Sequence, residues 1–131
     1  MRWFNKGKPK ELWDEVLQWP IGDLEAARKI RDICNSAVDS AEKVGSRVGG
    51  AETKANKHET ERYKRAAKAA MEISIKISDD LLRDSALCQI VALCVEASDL
   101  RTATILLRAV QAVSIREDVM NKHPALREAV A

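Results

Sequence analysis

The chain has 131 residues, 46% of them hydrophobic and 32% charged, with a formal net charge of +2 at pH 7. A length of this order suits one domain, which can hide roughly two-thirds of its unfolded surface without disulfides or metals, and so small a charge excess does not demand a polyanionic partner. Aromatic residues are few (one Phe, one Tyr, three Trp), so the apolar content rests on Ala, Val, Leu and Ile, a composition that favours helices over sheets.

Residues 1 to 8 read as an N-terminal arm that is polar and basic apart from Trp3 and Phe4, and residues 9 to 131 as a single helical domain. No apolar run follows the arm, so neither a secretory segment nor a membrane span of about 20 residues is expected. Pro9 can occupy the first turn of a short helix that Pro20 stops after Trp19, with Leu12, Trp13, Val16 and Leu17 on one face. Trp13 and Trp19 are expected to cap the bundle.

A second helix is expected from Gly22 and Asp23 towards Val48. Ala27, Ile30, Cys34, Ala37, Ala41, Val44 and Val48 recur in alternating steps of three and four, giving a narrow seam of mostly small residues. Glu25 with Lys29, Arg28 with Asp32 and Asp39 with Lys43 stand one turn apart on the solvated side. The seam calls for a close helical neighbour: first the third helix of the same chain, alternatively a second copy, in which case Ala27, Ile30, Cys34, Ala37 and Ala41 form a homodimer surface. Gly49 and Gly50 close the pattern.

From Ala51 to Arg65 almost every residue is polar, which suits a loop, a frayed helix start or a helix projecting into solvent. Tyr63, Ala66, Ala70, Ile73 and Ile77 then form the core stripe of a third helix. Ser78 is the expected N-cap of a fourth, with Asp79 and Asp80 at the positive end of its dipole and Ile77 stapled onto Leu82. Between Ala86 and Ala97 only Gln89 and Glu96 are strongly polar, so this helix should be central. The apolar pattern also includes Leu81 before the break at Ser98 and Asp99, and Val113 after it. Ser98 and Asp99 start a fifth helix whose Arg101, Thr104, Arg108 and Gln111 fall on one exposed stripe. Ser114 and Glu117 form a capping-box pattern that opens a sixth, which Pro124 breaks or restarts. The fold class expected is all-α: a compact bundle of five or six helices.

Leu87, Ile90 and Cys94, then Asp99 at the turn, then Ala103, Leu107 and Val110 resemble a tetratricopeptide-type antiparallel helical hairpin. The match covers about one repeat of roughly 34 residues, with Val91 where the family prefers Gly and Ser98 in place of the turn Gly. Repeats of this kind serve as protein-binding scaffolds, so the resemblance implies an interaction role.

Candidate chemistry is sparse. Cys34, Cys88 and Cys94 are odd in number, lie at apolar helical positions and include no CxxC pair, which suits reduced core thiols and a cytoplasmic address. Asp79, Asp80, Arg83 and Asp84 have the location of helix-start charges rather than of an acid-base pair or cation site. Neither His58 nor His123 has a neighbouring ligand pattern, so no catalysis, metal or cofactor is expected.

Two binding readings remain. In the first, the chain is a small adaptor, assembly factor or inhibitor that meets a protein partner through Arg101, Thr104, Arg108 and Gln111, with Trp3 and Phe4 as anchors. In the second, Lys54, Lys57, Arg62, Lys64, Arg65 and Lys68 track a nucleic-acid backbone, although Glu52, Glu59 and Glu61 interrupt the charge.

Overall fold

The structure is a computed structural model that describes residues 11–15, 17–46 and 54–130. The three-and-four pattern after Gly22 produces helix α1, Asp23–Gly45, with Asp23 and Glu25 in the first turn where the dipole favours carboxylates. Its buried face is wider than a heptad seam. Ile30, Cys34, Ala37 and Ala41 are joined by Ala26, Ile33 and Ser40, while Ala27 is only partly buried, because α1 is covered on two sides by neighbouring helices.

Those neighbours are α2, Lys54–Ser74, and α3, Asp80–Glu96. Small residues line the α1–α2 contact: Ala37, Ala41, Ala66 and Ala70 have no exposed surface, so the two backbones approach closely. The seam of α1 is therefore covered by the chain's own helices, and its Ile30, Cys34, Ala37 and Ala41 are buried.

From Lys54 on, the polar stretch before Tyr63 is the first half of α2. Cross-helix bonds anchor it: the buried Ser40 hydroxyl donates to Glu59 Oε1 at 2.7 Å, and Lys43 pairs with the same carboxylate at 3.5 Å. Helix α2 stops at Ser74, where the hydroxyl donates to the Met71 carbonyl, so Ile77 enters the core from beyond the helix end.

Of the expected i,i+4 surface pairs, Lys29 instead pairs with Glu15, Lys43 with Glu59, and Asp32 with Arg31. Lys29 and Lys43 thus take partners that tie another element to α1.

Helix α3 is central as its composition implies, packed on α1, α2 and α4. Its N-cap is Asp79, not Ser78. The Asp79 carboxylate accepts from the Leu82 amide at 2.9 Å, while the Ser78 and Asp79 amides donate to Asp23 at 3.0 and 2.9 Å. Leu81 falls on the outside, 68% exposed.

A three-residue turn, Ala97 to Asp99, returns the chain into α4, Leu100–Ala109, forming a helical hairpin on α3. Ser98 takes the left-handed conformation with φ 59°, and Asp99 caps α4 by accepting from the Thr102 amide.

Helix α5, Val113–Lys122, begins after Ala112 and places Ser114 inside its first turn, so the expected capping box is not its start. A tertiary partner takes that role. Asp84, 1% exposed within α3, accepts from the Gln111 and Ala112 amides at 3.0 Å each. Val113 is consequently 61% exposed. Pro124 restarts the chain as the first residue of α6, Pro124–Val130.

The short first helix is not formed as expected. Among the described residues of this stretch only one 3-10 turn, Leu12–Asp14, is present, followed by non-helical backbone at the described positions up to Gly22. Glu11, Asp14 and Glu15 each reach a cation on α1 or α2, and these long-range ties replace regular helix. Trp13 caps the core at 8% exposure, whereas Trp19 remains 39% exposed with Lys76 Nζ 5.1 Å above its ring. Among the described residues the chain is an all-α bundle of six helices, none long and apolar enough to cross a membrane.

Candidate protein-binding face

Helix α4 buries Ala103, Thr104, Leu106 and Leu107 and leaves Arg101, Ile105 and Arg108 outside. The sequence stripe is thus corrected at two places. Thr104 is 8% exposed, and Gln111, although exposed, lies past the helix end with its backbone amide held by Asp84. The residue that periodicity did not single out is Ile105, which is 57% exposed between the two arginines.

These residues line a shallow groove of about 360 Å³ between α4 and α6, with Leu100, Thr104 and Ala129 completing the walls. Neither Arg101 nor Arg108 has an ion-pair or hydrogen-bond partner among the described residues. That sets them apart from Arg62, Arg65, Arg83, Arg116 and Arg127, each bonded to a named acceptor. The groove can therefore offer an apolar centre and two free forked donors. Trp3 and Phe4, the proposed anchors, lie outside the described residues.

The basic stretch of α2 is differently placed. Arg62 donates to Glu11 through Nε and Nη2 at 2.8 and 3.1 Å and to Ser40 Oγ at 2.6 Å, and its guanidinium lies 4.9 Å from the Trp13 ring centroid. The hydrogen bond from Arg62 holds the Glu11 carboxyl below its ordinary value, and the same bond raises Arg62. Arg65 pairs with Asp14. Two of the six cations thus bind the N-terminal segment to α2, while Lys54, Lys57, Lys64 and Lys68 are exposed.

A second cavity of about 330 Å³ lies beside that segment, walled mainly by Trp13, Trp19, Ile33, Ile73 and Ile75. The buried indole N–H of Trp13 has no hydrogen-bond partner among the described residues.

The remaining chemistry-bearing groups are engaged in structure. Asp79 caps α3, Asp80 pairs with Arg83, and Asp84 is no helix-start charge but the buried acceptor already described. Burial pushes the Cys34 thiol up to about 12 and Cys94 up to about 11, and it raises Cys88 as well, so none is an activated thiolate at neutral pH. Among the described residues no group of three or more His, Cys, Asp or Glu could hold a metal ion. No family model matches this chain, and no curated protein or solved structure matches it either.

Proposed function

We propose that this chain is a small protein-binding module, acting as an adaptor, assembly factor or inhibitor through the preformed outer face of α4. The observation that carries the reading is Ile105, a large apolar side chain 57% exposed between two arginines that have no partner among the described residues, on a helix whose other face is sealed into the core. Desolvating such a centre inside a polar rim is how a few residues supply most of an interface's affinity. The α3–α4 hairpin's resemblance to a tetratricopeptide unit supports the same reading. Its three free cysteines support a reducing compartment such as the cytoplasm.

The nucleic-acid reading draws less support from the structure's charge distribution. Phosphate binding through the α2 stretch requires free cations, and Arg62 and Arg65 already neutralise Glu11 and Asp14.

Comparative affinity capture from native cells tests the reading, with the full chain and its Ile105→Asp variant as baits. Because position 105 is exposed, the variant should keep its melting temperature within the change expected of about 0.5 kcal/mol. Proteins retained by the full chain and lost from the variant are the expected result. Identical capture profiles from two folded baits would overturn the α4 face.

A further inference from the structure

We propose that the occupant of the α4–α6 groove is an acidic amphipathic helix of another protein, with two carboxylates seven residues apart gripping Arg101 and Arg108 and an apolar residue between them seated on Ile105. This rests on the reading of α4 as the binding face and adds the chemistry of what binds.

Three features lead to it. The first is charge: two guanidinium groups without partners among the described residues border one groove, and a forked donor is best matched by a carboxylate, which it can hold through two parallel hydrogen bonds. The second is the apolar centre formed by Ile105 with Leu100 and Ala129, which rewards a hydrophobic side chain rather than a bare anion.

The third is spacing. Arg101 and Arg108 are two helical turns apart, a rise of about 10.5 Å, which equals the separation of residues i and i+7 on a second helix lying nearly parallel or antiparallel to α4. An extended strand covers that distance in about three residues, and residues i and i+3 of a strand point to opposite faces. A strand would have to use same-face residues two or four apart, at about 7 or 14 Å, so a helix matches the spacing better.

The chain's own acidic helix fits less well. Asp32 and Asp39 on α1 are exposed and seven residues apart, but Asn35 and Ser36, exposed between them, are polar. A second copy would supply the charge without the apolar contact, which favours a different protein.

The test is a selection of displayed helices of about 20 residues, randomised over their outward positions, against the full-length chain. Winners are then measured against Ile105→Asp and against the double variant Arg101→Glu, Arg108→Glu, with circular dichroism confirming that both variants stay folded. Helices carrying two carboxylates seven apart around an apolar residue are expected. Their affinity should fall about 10-fold or more against the double variant and recover when the carboxylates are exchanged for lysines. Neutral or basic winners that still lose binding to Ile105→Asp would overturn the acidic partner while leaving the α4 face standing. Winners indifferent to both variants would overturn the face itself, and light scattering that shows a dimer broken by Arg101→Glu, Arg108→Glu would replace the foreign helix with a second copy.

Discussion

Gly45, Ser98 and Asp99 meet where α1 ends against the α3–α4 turn, and each is chosen by a different constraint. A Cβ on Gly45 would stand 2.0 Å from the Glu96 carbonyl oxygen and 3.1 Å from its carbon, both backbone atoms that no rotamer change can move. Gly45→Ala should therefore cost about 2–3 kcal/mol or more in urea unfolding. At Ser98 the strain is reversed in sign: its φ of 59° is one a Cβ disfavours, so Ser98→Gly should stabilise by about 0.5–1 kcal/mol even though glycine loosens the unfolded chain. Asp99 accepts from the Thr102 amide at 3.2 Å and from the Tyr63 hydroxyl at 2.7 Å. Burial alone would raise its carboxyl, but the bonds from Tyr63 and Thr102 outweigh this and hold it below the ordinary value. Burial also pushes the Tyr63 phenol up, which keeps its proton available for donation. A carboxyl whose folded pKa is depressed adds stability that is fully present above its unfolded pKa, near 3.9, and disappears as the pH falls through the lower folded value. Asp99→Ala should thus cost about 1–2 kcal/mol at pH 7, and the difference in melting temperature from the parent chain should narrow below about pH 4.

Between elements, local pattern and long-range pairing divide the work. The helical faces were legible because apolar periodicity is a property of neighbouring residues: Ile30, Cys34, Ala37 and Ala41 on α1, and Ala66, Ala70 and Ile73 on α2, are buried where the steps of three and four place them. Ile33 escaped that pattern because a helix between two neighbours buries a broader arc than a two-helix seam. What periodicity cannot carry is a partner far along the chain. Glu11 and Asp14 reach Arg62 and Arg65 across 51 positions, which turned an apparent short helix into a tethered segment and committed two cations of the basic stretch to a joint. The α4 stripe was legible at Arg101 and Arg108 but not at Thr104, since a small polar residue reads the same in sequence whether it is exposed or covered. Asp84 is the sharpest case. It sits in the first turns of α3 among ordinary helix-start charges, yet its two oxygens hold the backbone that leads into α5. Asp84→Ala would strip two amides of a charged acceptor and should cost about 2–3 kcal/mol. Hydrogen exchange should locate the damage, with the Gln111 and Ala112 amides losing protection first. An unchanged exchange rate there would show that solvent replaces the carboxylate without cost.

Across the molecule the packing is uneven, and the proposed groove lies on the thinner side. Helices α1, α2 and α3 share the greater part of the buried cluster, from Ala26 to Cys94, whereas α5 commits one fully engaged side chain, Val119, and α6 one, Leu126. Leu126 has no exposed surface, and α6 leans on α4 and α5 without reaching α1, α2 or α3 closely. The stability of such an edge is local rather than global, because few apolar contacts oppose its opening. Leu126→Ala removes most of what seats α6, at a cost of about 3 kcal/mol, and that loss corresponds to about a 100-fold rise in exchange for amides that open locally. The rise should be confined to residues 113–130, with α1 to α3 keeping the protection of the parent chain. The same substitution should weaken binding of an acidic helix, since Ala129 forms one wall of the groove and moves with α6, while Arg101, Ile105 and Arg108 stay fixed on the intact α3–α4 hairpin. Hydrogen exchange followed by mass spectrometry separates the two possibilities: acceleration spread evenly over all six helices would mean that α6 belongs to a single cooperative unit, and the groove could then not be loosened without unfolding the bundle.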